Sequence, residues 1–260
     1  MIFSTVEDAV PLWILFILTT AIVLISTEVG WRLGNLRRQR AREERKAPVS
    51  AAVGTTLGLL AFLLAFTFGM AATRYDTRKN NVLLEANAIG TTYLRADLLP
   101  EGSRYEVRRL LLEYTQLRAG GRAAIMSLQG MKKSADLQDQ IWAIAASAVE
   151  AQDTISSGLF IQSLNQMIDL DAVRITGLRN RIPDTIWLML IVVTIFSMAG
   201  LGYQFGLTGT HSWTVTILMA IAFTAVIWLI IDLDRPQSGL VQVSQQPLLD
   251  LLDRFGAPMP

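Results

Sequence analysis

"FTFGMAATRYDTRKN", residues 66–80, decides how this chain is read. Its first half is apolar. Its second half carries Arg74, Asp76, Arg78 and Lys79, with neither Pro nor Gly between Met70 and Asn80. A helix entering from lipid therefore meets no breaker at the bilayer edge. Downstream, Val82, Ala86, Ile89, Tyr93 and Ala96 recur at helical spacing, with Leu83, Leu94 and Leu98 beside them, and the next breakers are Gly90 and Pro100. The pattern predicts one helix from about residue 50 to 99. At 1.5 Å per residue it is roughly 75 Å long, more than twice the hydrocarbon thickness of about 30 Å.

The rest of the chain supports a membrane setting. Of 260 residues, 52% are hydrophobic and only 17% charged, below the usual quarter of a soluble domain. A net charge of +1 gives no bulk basicity, so no nucleic-acid partner is expected. The absence of Cys removes disulfides, thiolate catalysis and Cys metal sites. Lysine stands only at 46, 79, 132 and 133 among many arginines, the usage of a GC-rich bacterial genome. Four stretches have the roughly 20 apolar residues that a span needs: Pro11 to Trp31, Ser50 to Thr73, Thr185 to Gln204 and Ser212 to Ile231. Trp13, Trp31, Trp187, Trp213 and Trp228 lie towards their ends, where aromatic rings favour the interface. The first run lacks the basic leader and small-residue cleavage site of a signal peptide, so it reads as a span.

Charge gives a balanced orientation. The loop 32–49 carries Arg32, Arg37, Arg38, Arg40, Arg42, Arg45 and Lys46 against Glu43 and Glu44, while Glu7 and Asp8 lead the chain. The positive-inside rule weights short loops and puts this one in the cytoplasm. On the opposite side stand Arg74, Arg78, Lys79, Arg174, Arg179, Arg181 and Arg235.

Between the second and third spans the sequence reads as a helical bundle. Pro100-Glu101-Gly102 breaks the long helix. Ser103 can cap a second helix to about Arg118 that buries Tyr105, Leu110, Leu111, Tyr114 and Leu117. Ser134 can cap a third from about 135 to 181. Leu137, Ile141, Ile144, Ala148, Ala151 and Ile155 mark its seam, continued by Phe160, Leu164, Ile168, Ile175 and Leu178. Pro183 ends or kinks it. In the tail, Pro236 stops the fourth helix, and Gln246-Pro247 opens a short amphipathic helix with Leu248, Leu249, Leu251, Leu252 and Phe255 inward.

The fold expected is all-α: four transmembrane helices, with an extramembrane bundle formed by extensions of the second and third. Its segments are a first hairpin (1–73), a helical domain (74–182), a second hairpin (183–231) and a tail (232–260).

No phosphate loop, dinucleotide glycine pattern or metal-ligand spacing occurs, so neither enzyme nor cofactor is expected. The lone His211, in the loop between spans three and four, reads as an ordinary loop residue. The spans hold no central charge, which disfavours a proton relay but not a channel, because apolar constrictions and polar rings can gate and select. Glu28 and Arg32, four apart, can pair. "GTTLG" at 54–58 has small residues four apart, suited to helix packing or to a pore face. Phe62 and Phe66 share a helix face with Thr55, Leu59 and Thr73, while Phe68 points elsewhere. Around an oligomer axis this face forms stacked rings with Phe62 and Phe66 as a dewetting neck. Lipid contact or helix packing explains it equally. Arg74, Asp76 and Arg78 at the mouth of that helix, and Asp232, Asp234 and Arg235 on the fourth, form either a polar belt or ordinary interfacial charge.

The run "LAFLLAFTFGMAATRYDTRKNNVLLEANAIGTTYLRADLLP" resembles a signature of the bacterial bestrophin-like membrane proteins. It holds Phe66 and Phe68, then Arg74, Tyr75, Asp76 and Arg78, then Glu85 to Ile89, Thr91, Tyr93, Leu94 and Arg95. "DLDRPQSGLVQVSQQPL" at 232–248 is similar to the same family's tail. True bestrophins are pentameric anion channels whose second membrane helix lines the pore. The resemblance implies self-association into such a pentamer in a bacterial inner membrane, lipid and inorganic anions as partners, and, against the short-loop charge reading, residues 74–182 in the cytoplasm. No acidic run suits a calcium clasp. The alternative is a non-conducting scaffold or sensor whose helical domain binds a partner.

Overall fold

The structure, a computed structural model, describes residues 10–40, 46–151, 154–209, 212–236 and 239–256. Glu7, Asp8, Arg42, Glu43, Glu44, Arg45 and His211 lie outside these. The described residues form helices and connecting turns without a strand. The helices are α1 (Leu12–Gln39), α2 (Lys46–Arg95), α3 (Glu101–Ala119), α4 (Gly121–Met126), α5 (Leu128–Ala151), α6 (Ile155–Arg179), α7 (Asp184–Thr208), α8 (Trp213–Asp234) and α9 (Gln246–Gly256). Four helices in these residues are long and apolar enough to cross a membrane.

The unbroken reading of residues 66–80 holds: α2 is one helix of 50 residues. The chain divides into two compact units, Met1–Arg74 with Arg181–Val241, and Tyr75–Asn180 with Gln242–Pro260.

In the first unit, α1 packs along α7 and also meets α8. Pro11 and Pro183 stand immediately before α1 and α7, where a missing N–H costs nothing. Gly209, at φ 77°, ends α7 in the left-handed conformation that glycine adopts freely. Glycines set the α1–α7 distance. A Cβ on Gly30 would run into the backbone of Ala199, on Gly34 into Tyr203, on Gly202 into Thr27, and on Gly206 into Trp31. Gly30–Gly34 and Gly202–Gly206 are thus facing pairs of small residues four apart. Trp228 of α8 donates its indole N–H to the Leu12 carbonyl at 3.2 Å, and Phe16 meets its ring edge-on at 6.5 Å. The membrane part of α2 joins α7 through Ser197 Oγ, which donates to the Thr56 carbonyl at 3.1 Å, and through Gln204 and Ser50.

In the second unit, the core draws Val82, Ala86 and Ile89 from α2, Ala96 from the turn just after it, and Leu110, Leu111 and Tyr114 from α3. Leu137 and Ile141 come from α5, Phe160, Leu164 and Met167 from α6, and Val243 and Leu248 from the tail. Tyr93 is half-buried, stacked on Phe255 at 3.7 Å and covered by the Arg108 guanidinium. Three expectations change. The single helix over 135–181 is two. α5 ends at Ala151, and Thr154 opens α6 with a reciprocal cap to Ser157, whose local hydrogen bonds outweigh the apolar seam. Ala151 and Ile155 are accordingly exposed. The extension of the third span also stops, since α6 ends at Arg179 and α7 starts after Pro183. Finally, α3 begins after Pro100 rather than at Ser103, Tyr105 is exposed, and Ser134 lies buried inside α5.

Candidate functional site

The membrane part of α2 has two faces. Val53, Leu60, Leu64, Thr67 and Ala71 are buried. At 3.6 residues per turn they lie opposite Thr55, Leu59, Phe62, Phe66 and Thr73, all of which are exposed on the protomer. Phe62 and Phe66 are 65% and 55% exposed, with rings stacked at 6.4 Å and 16°. Thr55 and Thr73 donate their hydroxyls to the carbonyls of Ala51 and Gly69, both at 2.9 Å. Each therefore presents a methyl and an acceptor oxygen outward. Gly54, Gly58 and Gly69 have nothing within 4 Å of an added Cβ. The GTTLG pair takes no part in packing within the chain. Phe68 is exposed too, away from the strip.

Among the charged candidates, Arg74 is half-buried, Asp76 exposed and Arg78 buried. Asp232, Asp234 and Arg235 are all buried and bond backbone groups of their own unit. Asp232 accepts the N–H groups of Leu240 at 2.8 Å and Val241 at 3.0 Å, folding the tail back over the end of α8. Asp234 accepts the Ile182 N–H at 3.1 Å and fixes the corner before α7. Arg235 donates to the Val10 carbonyl at 2.8 Å. The signal in the sequence is two short acidic side chains at a helix end, followed by Arg-Pro and a glycine. A Cβ on that glycine, Gly239, would strike the Asp232 carboxylate.

The sequence reading missed a polar core in the second unit. Glu85 of α2 is fully buried. Its Oε1 accepts from Arg118 Nε at 2.5 Å, and its Oε2 from Arg174 Nη1. Arg118 also pairs with Asp171. Arg174 Nη2 donates to Gln245 Oε1 at 2.5 Å, and so reaches the tail. Gln138 Nε2 ties Asp171 (2.9 Å) to the Tyr114 hydroxyl (3.3 Å). Two cations and two anions thus cancel inside the bundle. Burial opposes the Arg118 charge, but Tyr114, Glu85 and Asp171 carry its pKa above the usual value. Burial lowers that of Arg174, against the pull of Glu85. Both remain cations at neutral pH.

Burial pushes the Tyr114 phenol upwards, assisted by Glu85 and Asp171. The sign follows from linkage. Unfolded, Tyr114 loses its proton near pH 10; folded, it keeps it. Its contribution to stability is complete below that pH and falls above it by about 1.4 kcal/mol per pH unit. Thermal unfolding followed from pH 8 to 11 should therefore show a shallower alkaline decline for Tyr114→Phe than for wild type.

Among the described residues, no group of three or more His, Asp and Glu is placed to share a metal ion. Two single-substitution variants of a bacterial bestrophin homologue from Klebsiella pneumoniae resemble this chain with TM-scores of 0.64 and 0.65 at 14% and 15% identity. The likeness covers 91% and 92% of this chain and 98% and 99% of theirs. A crystal structure of a membrane protein, also with one substitution, gives 0.67 at 15% identity over 93% of this chain and 99% of its own. These identities speak for the fold. No curated protein matches the sequence. The family model of the Bestrophin-like domain matches residues 12–248, nearly the whole of the chain just described. With its four apolar helices and helical second unit, this is a membrane protein that belongs to the bestrophin-like family.

Proposed function

We propose that the protein is a homo-oligomeric ion channel of the bacterial inner membrane, conducting anions through a pore lined by α2. One observation carries the reading: Thr55, Leu59, Phe62, Phe66 and Thr73 form an exposed strip on a helix whose other face is committed to its own chain. Family membership supports it, as does the lack of a Cβ contact at Gly54 and Gly58, which leaves bare backbone for close approach by another copy. Brought around an axis, Phe62 and Phe66 make an apolar constriction that gates by dewetting. Polar groups at Arg74, Asp76 and Arg78 would stand at its mouth.

Planar-bilayer recording of the purified oligomer tests this. The wild type should pass current carried mainly by chloride when sodium chloride is placed asymmetrically. Phe62→Ala and Phe66→Ala should each raise current severalfold by widening and wetting the neck. Gly58→Leu, whose Cβ has open space within the protomer, should leave folding intact yet reduce current or change oligomer size. A correctly assembled protein that never conducts would favour the scaffold or sensor, with its spans as anchors.

A further inference from the structure

Between α1, α7 and α8 the first unit leaves an apolar cleft of about 150 Å³. Leu15, Leu18 and Ile22 line it from α1, Leu190 and Ile191 from α7, and Ile227 from α8. Its two threonines spend their hydroxyl protons on their own helices and leave no spare donor in the walls. Thr19 donates to the Leu15 carbonyl and Thr194 to the Leu190 carbonyl, at 2.8 and 2.7 Å. One polar atom is unspent. Trp187 lines the cleft and is only 4% exposed, and its indole Nε1–H meets no acceptor among the described residues.

The position of Trp187 gives the cleft a direction. It stands in the first turn of α7, beside Leu15 near the start of α1 and Ile231 near the end of α8. These are the ends at which the three spans leave the hydrocarbon on one side. Deeper in lie Val23, Thr194 and Ile227. From interface to interior the wall of the cleft thus passes from Trp187, with its unsatisfied donor, to aliphatic side chains. Water fits it poorly, because a buried water needs at least two polar partners. An indole N–H left bare in lipid costs free energy.

We propose that the cleft holds one acyl chain of a membrane phospholipid, with the ester carbonyl of that chain accepting the Trp187 indole N–H. A phospholipid matches both features: it puts an ester carbonyl at interface depth and a hydrocarbon tail below it. A side chain from a second copy could fill the apolar part but brings no reason for a donor at the rim. The proposal rests on the chain spanning a membrane and is independent of whether it conducts.

The test uses the intact protein, washed exhaustively in detergent and extracted for phospholipid by mass spectrometry. Wild type should retain one phospholipid per protomer. Ile191→Trp, which fills the cleft, should abolish retention. Trp187→Phe keeps an aromatic ring, though a smaller one, and loses the donor, and should hold ester-linked phosphatidylcholine about tenfold more weakly. Given an ether-linked phospholipid of equal chain length, wild type should fall to the level of Trp187→Phe. Failure of wild type to retain lipid would overturn the proposal. So would equal retention of ester and ether lipids, or undiminished retention by Ile191→Trp. A change of oligomer size in Ile191→Trp with lipid still bound would assign the cleft to a second copy instead. Because Trp187→Phe is conservative, the ester and ether comparison stands even if Ile191→Trp fails to fold.

Discussion

Glu85→Ala should destabilise the second unit by about 3–5 kcal/mol, the usual cost of leaving buried charges without their counterion. The side chains of Glu85 and Arg118 have no exposure and that of Arg174 only 3%, so water cannot replace the lost carboxylate. Asp171 would then face two guanidinium groups alone. A domain's whole stability is about 5–15 kcal/mol, so the variant should be close to unfolding at room temperature. Thermal unfolding in detergent and hydrogen exchange across α2, α3 and α6 would report it. Gln245→Ala, which leaves Arg174 its bonds to Glu85 and to the Arg118 carbonyl, should cost only about 1 kcal/mol. A Glu85→Ala protein as stable as wild type would show that the arginines are solvated.

Gly202→Leu should be comparably severe in the first unit, by about 3 kcal/mol or more, since packed interfaces tolerate added bulk poorly. The obstacle at Gly202 is the backbone of Thr27, not a movable side-chain tip. α1 and α7 must separate, losing the close approach that drives helix association in lipid. Gel filtration should show aggregated or dissociated protein for Gly202→Leu and Gly30→Leu. Gly158→Ala, in the second unit, should elute as wild type, because its added methyl has open space. If all three behave alike, the α1–α7 seam is looser than described.

Much of the fold was legible because membrane helices advertise themselves. Four apolar runs became four helices, and the lack of a breaker between Met70 and Asn80 predicted the 50-residue α2. The exposed strip was legible from periodicity, though periodicity cannot say what covers Phe62 and Phe66. The packing of spans was not. Small residues four apart occur at Gly30–Gly34, Gly54–Gly58 and Gly202–Gly206, and only three-dimensional contact separates the first and last pairs, which pack, from the middle one, which does not. The polar core was hidden for a different reason. Arg174 looks like a basic flank of a span, and Glu85 like a solvated position on a helix. Their burial depends on partners from α3, the tail and α6, remote in sequence. Asp232 and Asp234 read as either a polar belt or interfacial charge, because a backbone N–H donor leaves no residue type to recognise.

The pairing of α1 with α7 also bears on how the protein is made. Its first span leaves the ribosome with a glycine face whose match is encoded far downstream, after residues 75–180 of the second unit. Until α7 is inserted, that face has no mate in its own nascent chain. Closing it joins residues of large sequence separation, a slow class of folding event. Chains truncated before α7 should therefore be cleared by membrane quality control rather than persist as stable hairpins.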